Sequence, residues 1–210
     1  MSAAPSSPMS ARPAFLRLLA AAAALALLAA CSFLPEAKPD PTRYFVLAAA
    51  AGATTAPAGA PVIHLRPVEV ANYLRARAMV VRRGHNEIEF REYARWGEPL
   101  EQGIARALRG ELLVRGAAAA ITVGSTRSAR LGSDLELAVR VLAFEGHAAG
   151  TAPVHAVWEL FNEKGLLHRG EFRSDAARWD GKTEATLAAA LSDSVSALAA
   201  DIAVALAKKP

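Results

Sequence analysis

Leu135-Glu136-Leu137-Ala138-Val139-Arg140-Val141-Leu142-Ala143-Phe144 is the most regular stretch of the chain. Leu135, Leu137, Val139, Val141 and Ala143 fall on one side of an extended backbone, with Glu136, Ala138, Arg140, Leu142 and Phe144 on the other. That period of two marks a strand with one face in a core. Val154, Ala156, Trp158 and Leu160 repeat it, and Asn162-Glu163-Lys164-Gly165 supplies a turn with Gly where positive φ suits it. Leu166 to Arg173 then returns, so the spacing predicts an antiparallel three-strand meander.

Beyond the meander, Thr183 is placed to cap a long helix with Leu187, Leu191, Val195, Leu198, Ile202 and Leu206 at spacings of three and four. Lys208 and Lys209 stand at its negative end. Such a stripe is core packing, and no coiled coil is read from it. Before the meander, Pro99 suits a first helical turn, and Leu100, Ile104, Ala107, Leu108 and Leu112 form a second stripe. Gly103 and Gly110 weaken this helix and Gly116 ends it. A strand follows around Ala120 to Ser125. Ala78 to Val81 and Glu87 to Phe90 flank Gly84-His85-Asn86 as a hairpin. Val62, His64 and Arg66 alternate with Ile63 and Leu65 as another half-buried strand. Arg43 to Leu47 reads as a strand, and Ala48 to Pro61 as a surface loop. Strands in groups with two amphipathic helices, without strict β-α-β alternation, indicate an α+β fold: a mixed, largely antiparallel sheet with both helices packed on one face.

The N-terminus reads as a leader. Arg12 and Arg17 give a positive start, and the uncharged run Leu18 to Ala30 is shorter than the roughly 20 apolar residues a bilayer span needs. Leu28-Ala29-Ala30-Cys31 closes it with small residues before the chain's one cysteine. An ordinary core role for Cys31 is the competing reading, and the position after the apolar run decides against it. Residues 1–30 are therefore expected to be a removed lipoprotein signal peptide, 31–42 a lipidated Cys with a Pro-rich tether, and 43–210 a single domain. Pro35, Pro39 and Pro41 favour an extended tether, with a reach on the order of 30 Å at roughly 3 Å per residue. Two or three acyl chains on Cys31 would hold the protein on a membrane, since one alone is marginal. Ser32 follows the cysteine where an aspartate resembles an inner-membrane retention signal, so the outer membrane is the expected location.

Removing residues 1–30 changes 24 basic and 20 acidic side chains to 22 and 20, a net charge of +2. This near-neutral balance gives no support to nucleic-acid binding. With one cysteine there is no intramolecular disulfide, and no segment after Cys31 reads as transmembrane. Gly181-Lys182-Thr183 imitates the end of a phosphate loop, but Ala176 stands where the motif needs Gly and the preceding residues are charged. No nucleotide site is expected. His64, His85, His147, His155 and His168 show no metal-ligand spacing and read as dispersed surface positions. Ser125 and Ser128 lack a nucleophile elbow. The residues thus call for no catalytic group, no metal and no cofactor.

Glu92-Tyr93-Ala94-Arg95-Trp96-Gly97-Glu98-Pro99-Leu100 is the most distinctive stretch, between the hairpin and the first helix. With Arg43-Tyr44-Phe45-Val46-Leu47, Pro67-Val68-Glu69-Val70-Ala71-Asn72-Tyr73-Leu74, the later strands and the terminal helix, it resembles the ABC-type transport auxiliary lipoprotein family, the PqiC (YmbA-like) proteins. The likeness covers nearly all of the mature chain. It implies a non-enzymatic, periplasm-facing outer-membrane lipoprotein that docks an MCE-domain protein and an inner-membrane component in phospholipid transport across the envelope. A lipoprotein that itself binds lipid in a groove between sheet and helices is the alternative. Tyr93, Arg95 and Trp96 are candidate partner contacts because aromatic residues and Arg are enriched at interface hot spots. The competing reading, which we favour, has Trp96 in the core and Arg95 paired to a carboxylate such as Glu98. Tyr73 and Leu74 divide the same way: exposed, they meet a partner; buried, they close the sheet.

Overall fold

Strand β7 (Leu135–Phe144) lies at the centre of the architecture because its inward side chains Leu137, Val139 and Val141 are buried and both its edges are paired. The computed structural model describes residues 17, 20–21, 38–49, 52, 55–125, 132–174 and 177–208. Of two compact units, Met1–Asp40 and Pro41–Pro210, the second holds all the elements that follow. Cys31, Ser32, Ser128 and Lys209 lie outside the described residues.

The predicted meander forms. β9 (Val154–Asn162) runs antiparallel to β7, and β10 (Gly165–Ser174) antiparallel to β9. The turn between them uses Gly165 at φ +125° and the Lys164 N–H donating to Asn162 Oδ1 at 2.8 Å. On its other edge β7 pairs in parallel with β2 (Val62–Leu65) and then β3 (Glu69–Val70). Pro67, which has no N–H, separates those two short strands. β6 (Ala120–Val123) adds in parallel to β2, giving a six-stranded sheet in the order β10-β9-β7-β2-β6 with β3 beside β7.

The hairpin of β4 (Ala78–Arg82) and β5 (Ile88–Trp96) belongs to a second, four-stranded sheet, order β1-β5-β4-β8, with β1 (Arg43–Phe45) and β8 (Gly146–His147). The mixed sheet of the expectation is thus divided in two, and its long ladders are the antiparallel ones. Helices α1 (Leu100–Val114) and α2 (Glu184–Ala207) pack on the six-stranded sheet and on each other. Trp158 Nε1 donates to Asp201 of α2 at 2.9 Å, and Ser196 Oγ of α2 bonds Glu111 of α1 at 3.0 Å. One continuous core joins both sheets and both helices, with Trp96 against Phe144 at 6.2 Å between ring centres.

Three local expectations are corrected. Phe144 is buried where strict alternation puts it outside with Leu142, because a β-bulge between Val141 and Ala143 advances the strand by one residue. His64 is buried, its Nδ1 3.2 Å from Thr122 Oγ1, because β2 is an inner strand flanked by β6 and β7. The Thr183 side chain does not cap α2: its hydroxyl turns back to Asp180, whose Oδ1 accepts the N–H groups of Lys182 at 2.8 Å and Thr183 at 2.6 Å. α2 buries the predicted stripe of Leu187, Leu191, Val195, Leu198 and Ile202, with Ala188, Ala190 and Ala199 beside it also in the core. It is long and apolar enough to cross a membrane by length and composition, yet more than half of the qualifying stretch is buried in the fold, which makes it a core helix. Gly116, at φ +64°, ends α1 as its sequence position predicts.

Gly170 on β10 faces the Trp158 indole so closely that a Cβ there would overlap the ring. Gly170→Ala is expected to lower unfolding free energy by about 1–3 kcal/mol, measured by urea denaturation, whereas Gly84→Ala, with only Glu87 Cβ at 3.9 Å, leaves it nearly unchanged.

Candidate functional site

Strand alternation along β5 decides which of the sequence candidates reach solvent. Ala94 and Trp96 point into the core, Trp96 only 4% exposed, while Tyr93 and Arg95 point out, Tyr93 at 51%. β1 lies in parallel beside them, pairing Tyr44 with Arg95 and Phe45 with Trp96. Adjacent partners share a face, so Tyr44 and, two residues on, Val46 join Tyr93 and Arg95 outside, each 62% exposed. Single exposed apolar residues are ordinary, but contiguous ones form a patch. Two tyrosines, a valine and an arginine here make such a patch on the outer face of the four-stranded sheet. Tyr44 and Val46 as members of it were missed in the sequence, because only the β1–β5 pairing places them beside Tyr93.

Arg95 makes no ion pair among the described residues. Glu98 instead takes Arg106, whose Nε lies 3.0 Å from Glu98 Oε1 and whose Nη2 donates to Leu47 O at 2.9 Å. The expected Arg95–Glu98 pair is therefore replaced: nearly two turns into α1, the partly exposed Arg106 reaches the carboxylate. Leu74, 2% exposed, is likewise a core residue within a 3-10 turn (Asn72–Arg75) and is unavailable to a partner.

Tyr73 is half-buried and engaged. Its hydroxyl bonds Glu145, which also takes Arg82 Nε. Glu145 is buried at the corner where β7 of one sheet passes into β8 of the other, so Tyr73 and Arg82 neutralise and saturate a carboxylate at the crossing between sheets. Burial, with the hydrogen bond and charge of Glu145, pushes the Tyr73 phenol above its usual range, and the bond to Glu145 raises Arg82. At the start of α2, the Thr183 hydroxyl and the N–H groups of Thr183 and Lys182 hold the exposed Asp180 well below the usual carboxylate range. A carboxylate thus occupies the turn formed by Gly181-Lys182-Thr183.

Two concave regions accompany these residues. An apolar groove of about 580 Å³ runs between α1 and β6, lined by Ala105, Ile121, Val123, Pro67 and Val68 with Arg106 and Arg109 at its sides. A polar cleft of about 540 Å³ beside Glu145 brings together His85, His147 and His155, which the sequence left dispersed. His155 Nε2 lies 2.8 Å from Glu171, but among the described residues no group of three or more metal-ligand side chains forms.

Removing the Glu145 carboxylate leaves Tyr73 and Arg82 without their acceptor. Glu145→Ala is expected to cost at the lower end of the roughly 3–5 kcal/mol seen when one member of a buried pair is removed, because Arg82 keeps some solvent contact. The raised Tyr73 phenol contributes stability that is complete below its ordinary value of 10.0 and is lost as pH rises above it, since the unfolded chain then sheds the proton more easily. Denaturation curves above that pH should fall more steeply for wild type than for Tyr73→Phe, with equal slopes below it.

The comparisons with known proteins agree with the fold. XCC0632 from Xanthomonas campestris, of the DUF330 family, is 16% identical with a TM-score of 0.64, over 77% of this chain and 93% of its own. A second crystal structure, of a protein of uncharacterised function, is 20% identical with a TM-score of 0.63, over 78% of this chain and 97% of its own. At such identities the likeness is one of fold. No curated protein matches the sequence significantly. The model of a family described as the ABC-type transport auxiliary lipoprotein component matches residues 45–203, from the end of β1 to the last turns of α2. That span is well over half of the chain, and the protein belongs to the ABC-type transport auxiliary lipoprotein family.

Proposed function

We propose that this family member is a non-enzymatic lipoprotein, acylated at Cys31 and facing the periplasm from the outer membrane, that docks the MCE-domain protein of a phospholipid transport system through the outer β1–β5 face. The observation that carries the reading is the exposed cluster of Tyr44, Val46, Tyr93 and Arg95. Tyrosine and arginine combine apolar contact area with hydrogen bonding, the composition of interface hot spots. The cluster also begins at the first strand of the folded unit, on the side of the chain nearest the tether. Tyr73 supports that arrangement from within by fixing the corner between the sheets. A Pro-rich connection from Cys31 would keep the docking face within on the order of 30 Å of the membrane. The groove between α1 and β6 favours a second reading, in which the domain itself holds a lipid.

Cys31→Ala is expected to abolish labelling by radioactive fatty acid and to leave an unprocessed precursor; unchanged labelling and mass contradict the anchor. Full-length acylated protein purified from solubilised membranes should bring with it an MCE-domain transport protein identified by mass spectrometry. Tyr93→Glu together with Arg95→Glu, both exposed positions, should lower that recovery about tenfold, the effect of losing roughly 1.4 kcal/mol of interface energy. Recovery of the same partner at wild-type level would remove the face from the proposal.

A further inference from the structure

We infer that the groove between α1 and β6 binds one alkyl chain of an anionic amphiphile, with Arg109 receiving its negatively charged group; this deepens the lipid-transport reading, on which it rests. The groove's volume of about 580 Å³ lies in the range of small-molecule sites. Its floor is apolar. Val68, Ala105 and Ile121 are buried there, while Val123, at 44% exposure, stands open at the edge of the six-stranded sheet.

The charges around the groove are unequal in a way that selects a ligand. Arg106 is held by Glu98 and by the Leu47 carbonyl. Glu101, the acid in the lining, lies 4.0 Å from Arg75. Arg109 differs: its Nε donates to Ile121 O at 3.0 Å, which fixes the guanidinium at the groove, and among the described residues it has no carboxylate partner. An unneutralised guanidinium beside an apolar channel matches a carboxylate or phosphate joined to an alkyl chain, because the planar fork receives such groups through paired N–H donors. A peptide fits less well. Its backbone groups would need partners along a floor that is mainly carbon, and unpaired polar groups are costly in an apolar site.

The inference is tested in the full-length protein in living cells by replacing Val123 with the photocrosslinker p-benzoylphenylalanine, and Val204, a more exposed residue on α2 at 60%, as control. After irradiation, mass spectrometry of the labelled peptide should show an adduct at position 123 and little at 204. An adduct with a diacyl phosphate core identifies an anionic phospholipid, and one with a single carboxylate chain a free fatty acid; either supports the site. Arg109→Gln should reduce the adduct about tenfold, and Arg109→Lys should restore most of it. Adducts only of zwitterionic lipid, adducts to polypeptide, equal yields at both positions, or indifference to Arg109→Gln each overturn the inference. Partner recovery through Tyr93 and Arg95 is measured separately, so a failed groove leaves the docking reading standing.

Discussion

The burial of α2 is the constraint on which the rest of the structure depends. This 24-residue helix buries one wide face and leaves only a narrow solvent stripe through Ala189, Asp193, Ala197 and Asp201. The six-stranded sheet takes Leu187, Leu191, Val195, Leu198 and Ile202 into the common core, each worth about 1.5–3 kcal/mol on burial. Its polar residues are dealt with locally. Ser192 and Ser194 donate to the carbonyls of Ala188 and Ala190 one turn back, and Ser192 also accepts the Ala48 N–H, tying the segment after β1 to the helix. Asp201 takes the Trp158 indole N–H. A helix that could by composition enter a membrane is in this way held as the centre of a folded domain.

With the inner faces committed to that core, what the protein offers its surroundings is set by alternation. Leu74 and Trp96 pack inside, while Tyr93 and Arg95 reach the surface because successive side chains at the end of β5 point to opposite faces. Ile121 and Val123 share one face of β6, the first buried under the groove and the second open at its lip. Glu145 joins the two sheets at one corner through Tyr73 and Arg82. The proposed docking face and the groove therefore belong to one compact unit, Pro41–Pro210.

The elements held by local pattern were legible in the sequence. The meander, the hairpin and both helices follow from spacing and turn residues between Leu135 and Arg173, around Gly84, and at Pro99 and Gly116. What escaped depends on distant pairing. Nothing near Arg43 announces that β1 joins β5 in parallel, which is why the division into two sheets and the place of Tyr44 and Val46 in the patch could not be read. His64 looked exposed because β6, which covers its other edge, lies nearly sixty residues away. The Val141–Ala143 bulge turned Phe144 inward at the end of β7 without altering any residue type. Arg106, eight residues past Glu98, outcompeted its near neighbour Arg95 for geometric reasons that only the helix supplies. Of the candidate surface, the Tyr93–Arg95 stretch stood out as a motif; the groove was visible only as a general possibility between sheet and helix.

Whether the domain docks through the outer β1–β5 face is read by hydrogen–deuterium exchange of the full-length protein with and without the proposed MCE-domain partner. The account predicts that the partner slows exchange at residues 43–47 and 91–97 and leaves α1 and α2 unchanged. Protection absent from those residues, or confined to 100–123, would contradict it.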